Sequence, residues 1–246
     1  TLLSTIEELF LHGLEPYDGH GSFFKGLSIE KKWQDHGNYA VLHLDFYNLN
    51  SLCDTVDQLE NTLRWYLSDF CRKHQLTLPE GIPDLNIYLD QMLEQLPSAS
   101  LVLLIDEYDS PLLYHAQEEK ELKACRRLLR CLFSQVKRHS DKFRCVFFTG
   151  ITRFQDLDLG TAGNSFTDIS LDSAFAACCG YTRGELKHCF ADHLRNAAAV
   201  RLGIKDEEVT EAQIESLLDE MSEWYDGYSF DGEPETHVFS TWSVLR

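Results

Sequence analysis

The segment LVLLIDEYDSPL, residues 101–112, decides the fold. Five apolar residues lead straight into Asp106 and Glu107, and Asp109 follows two positions later. An unbroken apolar run of this length is typical of a β-strand that is covered on both faces, as the strands of a parallel sheet are. The segment therefore predicts a central buried strand that ends in a group of carboxylates.

Two other segments predict strands that would pair with this one. YAVLHLDFYN, residues 39–48, is rich in β-forming residues and predicts a strand that ends near Asp45. FRCVFFTGI, residues 143–151, predicts an apolar strand that ends at Thr149. A shorter candidate strand, FTDISLD, ends at Asp172. Helical patterns separate the strands, which favours an α/β layer of parallel strands joined by right-handed crossovers.

The spacing of apolar residues predicts the helices. One helix covers LLSTIEELFLH and ends at Gly13, a residue that commonly terminates helices. Others are expected over about 52–74, 84–96, 123–139 and 210–224. The helix over 123–139 carries basic residues mostly off its apolar stripe, which is typical of a solvated face.

The chain changes character after Tyr181, where no further strands are predicted. Thr182 and Glu185 have the spacing of a capping box, which marks the start of a helix. We therefore predict an α/β core over residues 1–174, followed by a small helical subdomain over residues 175–246.

Composition narrows the classes of function. The 246 residues carry a formal net charge of −18, so direct nucleic-acid binding is not expected, because the phosphate backbone would be repelled. No apolar run nears the roughly 20 residues that cross a bilayer, and no signal peptide opens the chain. The eight cysteines form no CxxC pair, which favours reduced thiols. We expect a cytoplasmic protein that does not enter a membrane.

The predicted strand ends place polar side chains at one edge of the sheet, where parallel sheets bind their ligands. Asp106 would hold Mg²⁺ of a bound nucleotide through the water shell of the ion. Glu107 would polarise the water that attacks the γ-phosphate. Thr149 would contact that phosphate, and Arg153 would stabilise the charge that develops on it.

The acidic strand end alone is not specific, because many buried strands exit into an acidic turn. A phosphate loop of the form GxxxxGK[ST] supplies the backbone amides and the lysine that bind the phosphates of a nucleotide. The chain contains no Gly-Lys-Ser and no Gly-Lys-Thr. Because carboxylates repel phosphates, the sequence predicts only half of a nucleotide site.

Segments in their order along the chain resemble the motifs of the predicted AAA-ATPase-like family. They are FKGLSIEKKW, HLDFYN, LLIDEYDSPL, FTGITRF, NSFTDISLD, GYTRGEL, EWYDGYSFDG and VFSTWSVL. The resemblance covers nearly the whole chain. It implies a P-loop NTPase-like α/β domain, which in this family is often followed by a PD-(D/E)XK nuclease-like domain.

The resemblance also implies roles and ligands. Asp106 and Glu107 match the Walker B positions, and Thr149 matches the sensor position. Arg153 matches a position that is commonly Lys or Arg. Family members carry a motif like RPRRFGKS before a helix that resembles LLSTIEELF. We therefore expect the first strand and the phosphate loop to lie upstream of Thr1. On this expectation, the 246 residues are a fragment of a longer protein. The implied ligands are ATP and Mg²⁺. The implied partners are a nucleotide, an effector domain in the same chain and further copies of the chain.

The expected activity is Mg²⁺-dependent ATP hydrolysis that acts as a switch, and two other functions compete with it. One is a non-catalytic ATPase-like platform for sensing or assembly. The other is a hydrolase whose metal is held by His43, Asp45 and Asp106, since the first two lie two residues apart on a strand. The ten histidines are scattered, so Asp45 is instead expected to orient the loop or the Mg²⁺ shell. Asp109 is expected to be a hydrogen-bonding turn residue ahead of Pro111, and the alternative is that it contacts the waters of the metal ion.

The segment WYDGYSFDG, residues 224–232, carries four aromatic residues around two glycines. It is interpreted either as a nucleotide lid or partner surface, or as a turn whose aromatic side chains anchor the helical subdomain.

Overall fold

The computed structural model describes residues 2–17, 19, 21–35, 37–51, 53–79, 81–154, 166–225, 229–231 and 236–245. Backbone contacts divide the chain into two compact units, Thr1–Phe166 and Thr167–Arg246. The first unit contains α1 (Leu2–His12), β1 (Ala40–Asp45), α2 (Phe46–Ser51), α3 (Val56–Lys73), α4 (Leu85–Glu94), β2 (Leu101–Asp106), α5 (Ser110–Tyr114), α6 (Glu119–Arg138) and β3 (Phe143–Phe148). The second unit contains α7 (Arg183–Cys189), α8 (Ala191–Leu202), α9 (Glu211–Tyr225) and α10 (Thr241–Val244).

The first unit is built on a parallel sheet. In the described part of the chain its strands stand in the order β1-β2-β3, and both pairs are parallel. Asp45 lies opposite Asp106, and Ile105 lies opposite Phe148. Residues 101–105 of β2 are all buried, as expected of an apolar strand in the middle of a covered sheet. The predicted α/β fold with a parallel sheet is confirmed.

Hydrophobic clusters cover both faces of the sheet. Leu103 and Ile105 belong to a cluster that includes side chains of α3, α4 and α6. Val102 and Leu104, the intervening residues of β2, belong to a second cluster with Phe10 of α1. This alternation follows from the two-residue period of a strand, which sends successive side chains to opposite faces.

The long helix α6 shows why the predicted basic stripe faces solvent. Leu128 and Leu132 are buried in the core of the first unit, while Arg127 and Arg130 are exposed. The helix is thus amphipathic, with its apolar stripe toward the sheet. Among the described residues, no helix has both the length and the apolar character that crossing a membrane requires.

The segment FTDISLD does not form the strand that its pattern predicts. Its residues lie in turns and irregular structure. The N–H of Ser170 donates to the Asp168 carboxylate at 2.9 Å, and the N–H of Asp172 donates to the Ile169 carbonyl at 3.2 Å. Because Asp and Ser side chains offer the backbone such local partners, they compete with strand pairing. The strand prediction for this segment is wrong.

The first α-helix of the second unit begins with the predicted capping box. The Thr182 hydroxyl accepts the N–H of Glu185 at 3.2 Å, and the Glu185 carboxylate accepts the N–H of Thr182 at 2.8 Å. Helix α7 packs its buried Leu186 into a cluster with Leu218 of α9 and Phe239. The described α-helices of this unit are α7 to α10. Residues 226–228 and 232 of WYDGYSFDG lie outside the described residues, so the roles proposed for this segment stay predictions.

Candidate functional site

The three strand ends meet at the carboxyl edge of the sheet. The register of β1 and β2 sets Asp45 beside Asp106. Thr149 follows β3, and its N–H donates to the Ile105 carbonyl at 2.9 Å. The N–H of Tyr108 donates to the Thr149 carbonyl at 3.0 Å, and the Thr149 hydroxyl donates to the Asp106 carboxylate. The structure therefore joins the acid that ends one strand directly to the threonine that ends the next.

Glu107 stands at the turn directly after β2. Its φ is +49°, in the left-handed region that side chains other than glycine rarely adopt. The N–H of Ser110 donates to its carbonyl at 2.9 Å and closes the turn. Burial raises the pKa of the Glu107 carboxyl, and the charges of Asp106, Asp45 and Asp109 raise it further. These carboxylates thus repel one another, and a cation at this edge would relieve the repulsion.

Asp45 is held by the first turn of α2. Its carboxylate accepts the backbone N–H of Asn48 at 2.9 Å and also the side-chain amide of Asn48. Both contacts fix the orientation of the carboxylate relative to the end of β1. The predicted part of Asp45 in a Mg²⁺ site stays a prediction.

The loop after β3 carries Arg153, whose side chain is exposed. Two residues hold this loop: Tyr108, which the sequence analysis did not single out, and Asp109. The Tyr108 hydroxyl donates to the Thr152 carbonyl, and the Asp109 carboxylate accepts the N–H groups of Ile151 and Thr152. Asp109 was expected to serve its own turn, but its side chain bonds the neighbouring loop.

His43 is not placed for the competing metal-hydrolase site. Its Nδ1 lies 2.7 Å from Oε2 of Glu7, on α1. Within the part of the chain that the structure describes, no group of three or more His, Cys, Asp or Glu side chains could hold a metal ion. A Mg²⁺ ion that keeps its waters and takes one or two carboxylates needs no such group.

The fold and the strand ends define an α/β protein with an acidic site at the carboxyl edge of a parallel sheet. The sequence model of the family described as "Predicted AAA-ATPase" matches residues 1–160. The chain therefore belongs to this family. The matched region includes β1, β2 and β3 and each candidate site residue.

A curated relative from Azotobacter chroococcum mcd 1 is described as an uncharacterized protein in the vnfD 5′ region. It is 26% identical to this chain over 237 residues, which are 95% of the chain. The chain spans 42% of the length of that relative. No solved structure matches the chain.

Proposed function

We propose that this domain binds ATP with Mg²⁺ and hydrolyses the ATP in the full-length protein, as a switch for an attached effector domain. The observation that carries the proposal is the hydrogen bond between two strand ends. The Thr149 hydroxyl donates to the Asp106 carboxylate, and Glu107 is the residue after Asp106. Membership in the predicted AAA-ATPase family supports the reaction type.

The residues at this edge fit a hydrated magnesium ion. Asp106 would hold the ion through its water shell, since Mg²⁺ gives up its waters reluctantly. Bound Mg²⁺ neutralises charge on phosphate oxygens. Glu107 would orient the attacking water and accept its proton. Thr149 would contact the γ-phosphate, and Arg153 would lie nearby as an auxiliary cation.

The phosphates need a partner that these carboxylates do not supply. The 246 residues contain no Gly-Lys-Ser or Gly-Lys-Thr, so the proposal places the phosphate loop in another part of the protein. Strand β3 supports this arrangement. In the described residues it pairs only with β2, and its apolar side chains are only partly buried. Within the described part of the chain, the second edge of β3 has no paired strand, so a further strand could pair there.

The test uses the full-length protein and measures Mg-ATP binding by calorimetry and phosphate release in steady state. Glu107→Gln keeps the size of the side chain but cannot accept a proton. We expect this variant to bind Mg-ATP as the wild type does and to lose turnover by about 100-fold. Glu94→Gln is the matched control, because Glu94 is an exposed glutamate of α4, and it should retain full turnover.

Two results would contradict the proposal in different ways. A full-length wild type that binds no Mg-ATP would remove the ATPase hypothesis altogether. Turnover in Glu107→Gln that equals the turnover of the wild type would remove the role of Glu107 as the base. The 246-residue chain by itself should bind little nucleotide, because a carboxylate cluster without a phosphate loop repels phosphates.

A further inference from the structure

The loop after β3 is fastened to the segment after β2 by side chains. Backbone pairing between the strands ends at Thr149, which bonds to Ile105 and Tyr108. Residues 150–152 follow without ladder hydrogen bonds to β2, and the side chains of Tyr108 and Asp109 bond to Ile151 and Thr152 instead. We call these side-chain contacts to residues 150–152 the loop clamp.

Asp109 is the charged part of the loop clamp. It is fully buried, and its Oδ2 accepts the N–H of Ile151 at 3.0 Å and the N–H of Thr152 at 2.5 Å. Asp109 also occupies the N-cap position of α5, where an aspartate usually bonds the N–H groups of its own helix. It makes no such bond. The carboxylate is committed to the neighbouring loop, through hydrogen bonds that its charge strengthens.

Tyr108 and Gly150 complete the loop clamp by close packing. Tyr108 is 4% exposed, and its ring centroid lies 5.3 Å from that of Phe148 and 5.6 Å from that of Phe154. A Cβ atom on Gly150 would lie 2.5 Å from Cε1 of Tyr108 and 2.7 Å from Oδ1 of Asp109. The backbone of the loop thus rests directly on both side chains, which leaves no space for a methyl group.

We propose that Asp109, assisted by Tyr108, is a positioning residue for ATP hydrolysis. The residues that it clamps lie between Thr149 and Arg153, so the loop clamp sets where both stand relative to Glu107. A displacement of about 1 Å in a reacting group can cost about 100-fold in rate. The inference rests on the proposed ATPase function, and it adds residues that act through Thr149 and Arg153 without contacting the nucleotide.

The experiment compares variants of the full-length protein by calorimetry and by steady-state turnover. Asp109→Ala removes both hydrogen bonds to the loop, and we expect kcat to fall by about tenfold or more while the Kd for Mg-ATP changes by less than about twofold. Asp109→Asn keeps an acceptor oxygen and should recover most of kcat. Tyr108→Phe removes only the hydroxyl and provides a gentle second perturbation if Asp109→Ala folds poorly.

Asp84→Ala is the matched control. Asp84 also accepts two backbone N–H groups, those of Asn86 and Ile87 at 2.8 and 3.3 Å, but it caps α4 and does not belong to a strand end. This variant should unfold at a lower temperature and keep its kcat. A fall in kcat of similar size in Asp84→Ala and Asp109→Ala would overturn the inference, because stability alone would then explain it.

Two further measurements separate positioning from general stabilisation. Amide hydrogen exchange at Ile151 and Thr152 should accelerate about tenfold or more in Asp109→Ala, while amides of β2 keep their protection. A double-mutant cycle should show that Asp109→Ala costs less kcat once Arg153 is already alanine, because the two residues act in series. Full additivity, or exchange that accelerates equally in β2, would contradict the loop clamp as a positioning device.

The proposed function and this inference fail in distinguishable ways. Wild-type protein that binds and hydrolyses no ATP overturns the proposed function and the inference together. Wild-type hydrolysis combined with an unchanged kcat in both Asp109→Ala and Tyr108→Phe overturns the inference alone.

Discussion

Glu107 occupies a backbone conformation that its residue type disfavours. Among the described residues, three that are not glycine have positive φ, namely Gln75, Ala99 and Glu107. Only Glu107 stands at an end of the sheet where the candidate site forms. The left-handed region costs such a residue about 1–2 kcal/mol. A folded protein tolerates this cost where neighbouring hydrogen bonds hold the turn in place. The proposed base is thus held by a strained turn.

At the residue scale, Gly150→Ala tests the close packing of the loop clamp. The new methyl group would lie 2.5 Å from Cε1 of Tyr108, and the buried ring has no free space into which it could move. We expect the free energy of unfolding to fall by about 1–3 kcal/mol. Urea denaturation measures this loss, and the m-value should not change.

Gly184→Ala is the control for that substitution. Gly184 is exposed on α7, and an added Cβ meets nothing within 4 Å. Alanine there should leave stability unchanged or raise it by up to about 1 kcal/mol, through its better helix propensity. If Gly150→Ala behaved like this control, residues 150–152 would not pack against Tyr108 as the structure shows.

At the scale of the secondary structure elements, the strands that decide the fold could be predicted from sequence. Residues 101–105 form an apolar run ahead of Asp106, and residues 143–148 are apolar except for Arg144 and precede Thr149. Such runs carry their own strand signal. FTDISLD also predicts a strand, but the carboxylates of Asp168 and Asp172 accept the N–H groups of Ser170 and Ala174. The outcome of that competition is not visible in the sequence pattern. Local signals therefore predict strands best where no side chain offers the backbone another partner.

The candidate site was predictable only in part, because some of its contacts depend on residues that are far apart in the sequence. Parallel strand ends meet at one edge whatever the sequence of the connections, so Asp106 and Thr149 could be expected to lie close together. The bonds from Asp109 to Ile151 and Thr152 depend on the register between strands about 40 residues apart, as well as on the turn at Glu107. No local pattern encodes such a register.

Helix α7 offers a test at the scale of one element. Its start is fixed by the capping box of Thr182 and Glu185, and α7 supplies the buried Leu186 to the core of the second unit. Thr182→Ala removes the acceptor for the Glu185 N–H, and it should lower the free energy of unfolding of this unit by about 1 kcal/mol. The loss is measured by urea denaturation followed by far-UV circular dichroism.

Thr182→Ser keeps the hydroxyl and is the control for the cap. It should retain most of the stability, since serine caps helices at least as well as threonine. An equal loss in Thr182→Ser and Thr182→Ala would mean that the methyl group of Thr182 matters and that the capping hydrogen bond does not.

At the scale of the whole molecule, the cysteines differ in how far their side chains are buried. All eight lie among the described residues and are free thiols. Cys53, Cys71 and Cys125 are buried in the core of the first unit. The exposed cysteines are Cys178, Cys179 and Cys189, all in the second unit. Since only the thiolate of an accessible cysteine reacts quickly, the two units should differ sharply in reactivity.

Native alkylation with iodoacetamide, read by peptide mass spectrometry, tests this contrast. Burial, and then the charge of Glu121, raise the pKa of the Cys125 thiol to about 12, so at pH 8 only about one molecule in ten thousand would carry the thiolate. The exposed Cys178 and Cys189 should be labelled in the native protein, whereas Cys125 should stay unlabelled. Unfolding in guanidinium is the control and should expose all eight thiols.

Protection of Cys125 also bears on the candidate site. Its Sγ lies 3.5 Å from the carbonyl of Pro111, at the start of α5, and Asp109 stands directly before that helix. Rapid native labelling of Cys125 would therefore contradict the close packing of α6 under α5. It would also mean that the segment carrying Asp109 lacks the rigid support that the loop clamp requires. Slow labelling that requires global unfolding is the expected outcome, because α6 belongs to the main core of its unit.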